Sequence, residues 1–475
     1  MKQADLDLCY LTATEAVARF KDKSLSPVEL VSALIARSKA VNPTLNVLTD
    51  LKAEQALADA KRAEAKYQRS RGANLRPLEG VPVAIKDFHP VKGERTTFGS
   101  KAFEHYVAPH SAPTVDRLMK AGAILLSRTT TPEFAHSGIT KSPLWGISRN
   151  PWNPECTPGG SSGGAGAAVA AGMTTIADGT DGGGSVRIPS SINGVFGFKP
   201  PFGRNPLDHE HPLENLLHYG PIVRSVADAA LMQNVMSGQH VVDQCSLREK
   251  VVLPETFPNI RGMKIALSYD LGYFEIAPDV RKNTLEAARA LKRLGATVEE
   301  VNVGWDYRVL DAWKTRWEGL FAALCGSLLP QWRWQMSPHV VKILDDGARH
   351  SAPKFYDGNV VRGWMYERLG PILEKCDALI CPTTAVSSLP ADHDDLATDF
   401  KINGKPAYAY LGWAMTYPFN MMAWNPVASI PSGFGETGMP TGLQIVGRTF
   451  DDPTVFRIAA AFEKARPWRG VRPQI

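Results

Sequence analysis

Two serines, each set in a run of glycines, are the residues of this sequence best suited to covalent chemistry. Ser161 lies in the segment 157–166 and Ser185 in the segment 178–187, 24 residues further along the chain. Glycine adopts backbone conformations that other residues avoid, so a glycine run can direct several backbone N–H groups to one point. A serine at the end of such a run is typical of a nucleophile beside its own oxyanion hole.

A flexible glycine–serine linker is the alternative interpretation of these segments. Linkers of this composition remain polar, whereas both segments continue into largely apolar stretches, residues 167–171 and 188–198. The sequence therefore favours a structured catalytic segment over a linker.

Lys86 is the best candidate for a base that activates a serine. Histidine is the usual base for a serine hydroxyl, but the histidines of this chain lie outside the glycine-rich core. A lysine can take this role when it is neutral, which requires burial or a nearby positive charge because its free pKa is about 10.4. Lys86 follows five apolar residues, 81–85, and a second hydroxyl could relay the proton to it.

Three segments carry a specific family resemblance: Gly80–Asp87, Gly159–Gly164 and Gly179–Pro189. Together they resemble the amidase signature family, and the similarity extends over almost the whole chain. The resemblance implies an α/β fold with a large mixed central sheet covered by helices on both faces. It also implies a single domain over residues 1–475, with N-terminal helices in 1–75, a signature core in roughly 76–205 and a variable substrate-lining region in roughly 305–360.

The same resemblance implies a Ser–Ser–Lys triad that hydrolyses a C–N bond. Ser185 would be the nucleophile that carries the acyl group. Ser161, which follows a cis peptide bond in the family, would relay the proton, and Lys86 would be the final base. The spacing of the two serines is the family's spacing, which selects Ser161 over Ser162. The oxyanion hole would consist of the backbone amides of Gly182, Gly183, Gly184 and Ser185.

Three further side chains match family positions that brace the loop and the triad: Ser162, Asp181 and Arg187. A purely structural pairing is the alternative for all three. Gly182 is the one departure inside the signature, since relatives often carry a larger residue there, and it could loosen the loop or widen the site.

The substrate pocket is predicted from the segment 410–424, where relatives that act on glutamine carry an acidic residue and this chain carries Trp413. Aromatic and methionine side chains form apolar, adaptable pockets. We therefore predict a pocket of Trp413, Met415, Met421 and Met422 for bulky apolar or aryl amides, anilides or carbamates. Ordinary core packing is the alternative for the methionines.

Two other functions are open at this point. The first is the glutaminase subunit of a tRNA-dependent amidotransferase, which would make the chain part of a larger assembly. The second is an α/β-hydrolase, because Gly159–Gly163 also fits the pattern G-x-S-x-G. That pattern is short, and it requires a strand before Ser161, where the sequence 150–158 is typical of a loop.

The elements around these residues predict parallel βαβ units. A buried strand at Val81–Ile85 ends beside Lys86, and a helix at Ala112–Gly122 leads to a strand at Ala123–Ser127. Beyond Ser161 we expect a helix at 163–171 and a strand at 174–177. A second α/β half is predicted from a strand at 263–268, a helix at 279–294, strands at 296–301, 378–381, 427–430 and 442–446, and a helix at 453–465.

Two amphipathic helices open the chain, and each begins with a capping box. Thr12 pairs with Glu15, and Ser26 pairs with Glu29 ahead of an apolar periodic stretch. A third helix is expected at 52–70. These helices are predicted to be structural.

Composition excludes several classes of function. The net charge of +5 is spread over 53 basic and 48 acidic residues without a long run of one sign, which does not suggest nucleic-acid binding. The six cysteines are scattered and show no metal-ligand spacing, so we expect reduced thiols, no metal and no cofactor. With no membrane segment or signal peptide in the sequence, a cytoplasmic monomer or homodimer acting on a small molecule is predicted.

Overall fold

A large mixed β-sheet organises the computed structural model, which describes residues 2–70, 75–208 and 214–475. In chain order the described strands are β1 Leu48–Leu51, β2 Pro82–Lys86, β3 Ile124–Thr129, β4 Lys141–Ser142, β5 Gly146–Ile147, β6 Ile176–Thr180, β7 Phe196–Lys199, β8 Tyr219–Val223, β9 Lys264–Leu267, β10 Thr297–Glu300, β11 Ala378–Pro382, β12 Lys401–Ile402, β13 Lys405–Pro406, β14 Val427–Phe434 and β15 Pro440–Gly447.

Eleven of these strands form the central sheet, in the order β1-β3-β2-β6-β8-β7-β14-β15-β11-β9-β10. The predicted unit from β2 to β3 is parallel, and so is the predicted unit from β9 to β10. Between the two parallel parts, β6, β8, β7, β14, β15 and β11 pair antiparallel. The α/β fold prediction is confirmed, with one sheet running through both halves of the chain.

Helices pack against this sheet and extend beyond it. In chain order they are α1 Gln3–Cys9, α2 Ala13–Lys21, α3 Pro27–Leu45, α4 Ala53–Ser70, α5 Pro113–Lys120, α6 Gly163–Ala170, α7 Arg187–Asn193, α8 Val226–Met236, α9 Pro278–Arg293, α10 Arg308–Cys325, α11 Leu329–Trp332, α12 Pro338–Gly347, α13 Ala352–Lys375, α14 Pro418–Met421 and α15 Asp452–Ala465. Both predicted capping boxes form, at the starts of α2 and α3.

The N-terminal helical segment predicted for 1–75 includes positions 1 and 71–74, which lie outside the described residues. In the part of the chain that the structure describes, no helix combines the length and the apolar character needed to cross a bilayer.

Helix α6 shows why the segment after Ser161 is rich in glycine and alanine. Every residue of α6 is buried. A Cβ atom on Gly164 would lie 2.5 Å from the Thr130 Oγ1 atom, and one on Gly166 would lie 2.9 Å from the Asn193 Nδ2 atom. Only small residues allow the helix to approach β3 and α7 this closely, and this packing fixes the loop that carries Ser161.

Candidate active site

Lys86 ends β2 and is completely buried. Its Nζ atom donates hydrogen bonds to Ser161 Oγ and to Thr180 Oγ1, each over 2.7 Å. Its backbone N–H donates to Asp178 Oδ1 over 2.8 Å, which anchors the end of β2 to β6. The amino group is therefore held between two hydroxyls.

Burial lowers the pKa of Lys86 well below its usual value, because the charged ammonium loses its hydration inside the protein. The negative charges of Asp178 and Asp181 raise this pKa, but burial has the larger effect. The neutral amine needed for a base is thus more accessible here than in water.

The two serines occupy different positions around this lysine. Ser161 follows a cis Gly160–Ser161 peptide bond, and its hydroxyl contacts Lys86. Ser185 is 8% exposed and lies on the wall of a cavity that Ser161 also lines. Among the described residues no hydrogen bond joins the two hydroxyls directly. The structure thus brings both serines to one cavity and pairs only Ser161 with the lysine.

Ser162 forms no hydrogen bond with the lysine among the described residues, and it binds the backbone of two neighbouring segments instead. Its Oγ atom accepts from the Thr180 N–H over 3.3 Å, and its own N–H donates to the Ser185 carbonyl over 3.3 Å. This residue therefore links the two serine-bearing segments through the backbone.

The loop 182–185 is held by its carbonyl groups. Four consecutive carbonyls accept hydrogen bonds from outside the loop, and their donors are Trp313 Nε1 to Gly182 (3.1 Å), Thr416 Oγ1 to Gly183 (2.6 Å), Ile188 N to Gly184 (2.7 Å) and Ser162 N to Ser185 (3.3 Å). Fixing the carbonyls also fixes the opposite N–H groups, because a peptide unit is planar.

The four N–H groups of this loop have no protein acceptor within the described residues. A buried N–H group normally has a hydrogen-bond partner, so a run of four available donors beside a cavity serine is unusual. Such donors can stabilise an oxygen that becomes negative during a reaction.

Asp181 and Arg187 brace the two ends of this loop. The Arg187 guanidinium donates to both Asp181 oxygens, over 2.8 Å and 2.9 Å, and it also binds Asn420 and Gln444. Burial by itself would raise the pKa of Asp181, but the positive charge and hydrogen bonds of Arg187 outweigh it and lower this pKa to about 2. The Asp181 carboxylate is therefore ionised over the whole physiological range.

Gly182 makes room for an indole ring. A Cβ atom at this position would lie 2.6 Å from Trp317 Cζ3 and 2.9 Å from Leu217 Cδ2. The Trp317 ring stacks on Trp313, with ring centroids 5.3 Å apart. The small residue therefore lets an aromatic side chain reach the cavity wall, and the space above the loop is filled.

The cavity beside the serines has a volume of about 560 Å³ and a largely aromatic wall. Ser161, Ser185 and Thr180 provide its polar end. The aromatic lining residues are Phe88, Phe98, Phe103, Tyr106, Phe134, Tyr219, Trp317 and Phe321. Helix α10 and the residues just after it supply one side, within the region 305–360. An apolar substrate group of considerable size fits this wall.

The predicted pocket residues lie elsewhere. Trp413, Met415, Met421 and Met422 are buried in the hydrophobic core, and none of them lines this cavity. Trp413 instead packs against Gly138. The aromatic wall comes mainly from the segment just after Lys86 and from α10, because these elements lie beside the serines in the fold.

Sequence reasoning also missed one hydroxyl partner of the lysine and a buried pair of side chains near it. Thr180 contacts Lys86 directly, and its position five residues before Ser185 was the available signal. Behind them, His89 Nδ1 lies 2.5 Å from Asp178 Oδ2, with both side chains fully buried. Within the described residues this pair forms no hydrogen bond to the Lys86 amine or to the hydroxyls of Ser161 and Ser185.

Comparison with known proteins identifies the family of this chain. The family described as Amidase matches residues 29–456. An acylamidase from Rhodococcus erythropolis is 37% identical over 473 residues, covering 98% of each chain. One of the subunits of the glutamyl-tRNA(Gln) amidotransferase from Geobacter metallireducens is 32% identical, covering 98% of this chain and 99% of that protein.

Solved structures show the same fold. A bacterial aryl acylamidase of the amidase signature family superimposes with a TM-score of 0.90, 31% identity and 97% coverage of each chain. A 6-aminohexanoate cyclic dimer hydrolase complexed with substrate gives a TM-score of 0.86 at 28% identity, covering 98% of this chain and 99% of that chain.

The alternative of an α/β-hydrolase does not fit. A nucleophile elbow needs a strand that leads directly into the serine, whereas the structure has no strand between β5, which ends at Ile147, and Ser161. The matched family, the similar sequences and the shared fold give one result. The chain belongs to the amidase signature family and is an enzyme that hydrolyses carbon–nitrogen bonds of amides.

Proposed function

We propose that this enzyme hydrolyses amides with bulky apolar or aryl groups, including anilides and carbamates, through Lys86, Ser161 and Ser185. The observation that carries the proposal is the fully buried Lys86 amine, 2.7 Å from the Ser161 hydroxyl at the polar end of an aromatic cavity. A lysine in this setting is a base with a lowered pKa, and the hydroxyl beside it can pass a proton.

The first half of the reaction forms an acyl-enzyme. Neutral Lys86 accepts the proton of Ser161, Ser161 accepts the proton of Ser185, and the Ser185 oxygen forms a bond to the substrate carbonyl carbon. The carbonyl oxygen becomes negative and receives hydrogen bonds from the N–H groups of the loop 182–185. As the C–N bond breaks, the proton returns along the same path to the departing nitrogen, which leaves as a neutral amine.

The second half releases the acid. A water molecule gives its proton to the relay and its oxygen attacks the acyl carbon on Ser185. The Ser185 oxygen regains a proton as the ester bond breaks. The relay ends in the state in which it began, so one water is consumed for each amide that is cleaved.

The Asp181–Arg187 pair has a positioning role in this scheme. It ties the start of the loop to the first turn of α7, and Asn420 fixes it from a third direction. Oxyanion donors contribute most when they are preorganised. We assign these side chains to holding the loop rather than to proton transfer.

The aromatic wall supports the substrate class. Eight aromatic side chains line the cavity, together with the hydroxyl-bearing residues Ser161, Thr180 and Ser185. Edge and face contacts with such rings add binding free energy for an aryl group beyond the contribution of its burial. The similarity to an acylamidase and to an aryl acylamidase is consistent with this choice.

Ser185→Ala tests the chemistry. With an acyl 4-nitroanilide, we expect kcat/KM to fall about 10⁴-fold or more, because removal of a nucleophile eliminates the covalent route. Mass spectrometry of the wild-type enzyme quenched during turnover should find the acyl group on the Ser185 peptide. Ser191→Ala is the matched control. It removes a buried serine hydroxyl from α7, the helix that follows Ser185, and it should change kcat/KM only a few-fold. An acyl group on a different residue, or a variant that retains activity, would refute the proposal.

A glutaminase subunit is the second candidate, favoured by the 32% identity to the amidotransferase subunit. The purified chain should be assayed on glutamine and on the anilide in parallel. Hydrolysis of the anilide with little activity on glutamine supports the first proposal. Activity on glutamine alone would replace it with the second.

A further inference from the structure

Three side chains outside the catalytic cavity converge at one point. His136 follows the short helical turn at 133–135, His339 is in the first turn of α12, and Asp395 lies in the loop before β12. His136 Nε2 is 3.8 Å from Asp395 Oδ2, and His339 Nδ1 is 3.6 Å from the same oxygen. One ligand atom from each of the three residues lies within 4.8 Å of the other two.

This cluster is buried and incompletely paired. The three residues are only 5%, 7% and 5% exposed, in chain order. His339 Nδ1 and Asp395 Oδ1 have no hydrogen-bond partner among the described residues. Nor does any lysine or arginine described in the structure form an ion pair with Asp395. Buried polar atoms and buried charges normally have partners or bind metals. A bound cation would supply both the missing partner for the two unpaired atoms and a positive charge beside Asp395.

Neighbouring groups set the direction in which His136 and Asp395 can bind a ligand. His136 Nδ1 lies 2.8 Å from the Glu133 carbonyl oxygen. That contact requires a proton on Nδ1, which leaves the lone pair of neutral His136 on Nε2, towards Asp395. Ser137 Oγ donates to Asp395 Oδ2 over 2.7 Å and orients the carboxylate. Such outer contacts are typical of metal-binding histidines and carboxylates.

We propose that His136, His339 and Asp395 form a binding site for a divalent transition-metal ion of the zinc class. Two imidazole nitrogens and one carboxylate oxygen suit zinc and its neighbours better than magnesium or calcium, which prefer oxygen ligands. Zinc bonds of about 2.0–2.1 Å place tetrahedral ligands about 3.3 Å apart. The 3.6 Å and 3.8 Å separations from the Asp395 oxygen come close to that spacing. The two imidazole nitrogens lie within 4.8 Å of each other and would have to move closer together to bind one ion.

The site has a structural role in this proposal. The Tyr410 hydroxyl donates to the His136 carbonyl and accepts from Trp317 Nε1 over 2.8 Å, while the His339 and Tyr410 rings lie 4.2 Å apart. An ion would tie together three distant chain segments directly behind Phe134 and Trp317 of the cavity wall. By mass action it would stabilise the folded chain by RT ln(1 + c/Kd), where c is the concentration of the free ion.

Cobalt uptake tests the site. The full chain, free of any histidine tag and treated with a chelator, is titrated with Co²⁺ and then with Zn²⁺. We expect visible absorption of tetrahedral Co²⁺ that saturates at one ion per chain, displacement by Zn²⁺, and a higher Tm with Zn²⁺. Asp395→Asn and His136→Gln should each weaken binding at least about tenfold, since changes even beyond the ligands themselves cost 10–100-fold in affinity.

His350→Gln is the matched control, because His350 Nε2 pairs with the Glu318 carboxylate over 2.7 Å as a two-residue contact outside the cluster. This variant should bind Co²⁺ as the wild type does. Absence of uptake by the wild type, or uptake that both ligand variants retain, would overturn the proposal in favour of a hydrogen-bonded cluster. If a ligand variant does not fold by circular dichroism, the wild-type absorption and Tm with Zn²⁺ decide alone. The readout is metal binding, so it does not depend on the proposed substrate.

Discussion

Two fully buried lysines, each at the end of a strand, occupy very different surroundings. Lys86 ends β2 and Lys199 ends β7, and burial lowers the pKa of both well below the usual value. Lys86 contacts two hydroxyls at the cavity. Lys199 donates to three backbone carbonyls, those of Pro200 (3.2 Å), Ala423 (3.4 Å) and Asn425 (2.9 Å).

The difference teaches what makes a buried lysine a base. Burial alone favours the neutral amine at both positions. A carbonyl oxygen has no proton to give, whereas a serine hydroxyl can transfer one and receive it back. We therefore expect the chemistry to depend on Lys86 and the fold to depend on Lys199.

Among the changes that compare the two lysines, the largest effect is expected from Lys86→Met. Methionine has a similar length and no proton to exchange, so kcat/KM should fall about 10²–10⁴-fold, the usual contribution of general acid–base catalysis. Anilide hydrolysis measures the loss, and circular dichroism checks the fold. A variant within tenfold of wild type would mean that Lys86 is as inert as we expect Lys199 to be.

The pH dependence of kcat/KM is the second test that distinguishes the roles of the two lysines. Lys86 acts in its neutral form, so kcat/KM should fall about tenfold per pH unit below its pKa and be constant above it. Because burial lowers this pKa from its usual value of 10.5, the plateau should begin well below pH 10. Lys199→Met should leave the profile unchanged. A rate that still climbs tenfold per unit at pH 10 would contradict the lowered pKa.

Lys199→Met should act on stability instead of on rate. The substitution removes this donor from three buried carbonyls. Ala423 keeps the hydrogen bond from the Phe202 N–H, so the loss falls on the other two carbonyls, and each buried group left unsatisfied costs about 1–3 kcal/mol. Denaturant unfolding should show that the free energy of unfolding falls by about 2 kcal/mol. At a temperature where the variant is folded, kcat/KM should stay within tenfold. A catalytic loss equal to that of Lys86→Met would remove the distinction between the two sites.

The smallest effect is expected from Thr180→Val, which removes one of the two hydroxyls at Lys86. A hydrogen bond of this kind contributes about 0.5–1.5 kcal/mol, so kcat/KM should fall up to about tenfold while the acyl-enzyme still forms on Ser185. Thr175→Val, at a buried hydroxyl away from the lysine, is the control. If Thr180→Val were as damaging as Lys86→Met, Thr180 rather than Ser161 would be the proton partner.

Much of the fold was predictable because local signals and tertiary packing agree. The capping residues Thr12 and Ser26 begin helices, and the apolar run before Lys86 forms a strand. The central antiparallel strands β7 and β8 were not predicted. Both strands contain glycine, and β8 also contains proline. Their pairing depends on partners that lie elsewhere in the chain.

Prediction of the substrate pocket from the sequence has the same limit. Trp413 and the nearby methionines have the right chemistry for an apolar pocket, but they face the core. An aromatic residue has no sequence signal that separates a cavity wall from a core, because both environments favour the same side chains. The aromatic wall is formed by α10 and the segment after Lys86, which are neighbours only in the tertiary structure.

By itself the sequence determined the family and the parallel βαβ units, and it selected Lys86, Ser161 and Ser185 as candidates, because two glycine-flanked serines together with a strand-ending lysine are a specific combination. Tertiary structure alone decided which lysine faces a hydroxyl, which rings line the cavity, and that His136, His339 and Asp395 meet. Those facts depend on contacts between residues up to about 260 positions apart. The order of residues along the chain does not show which distant residues come into contact.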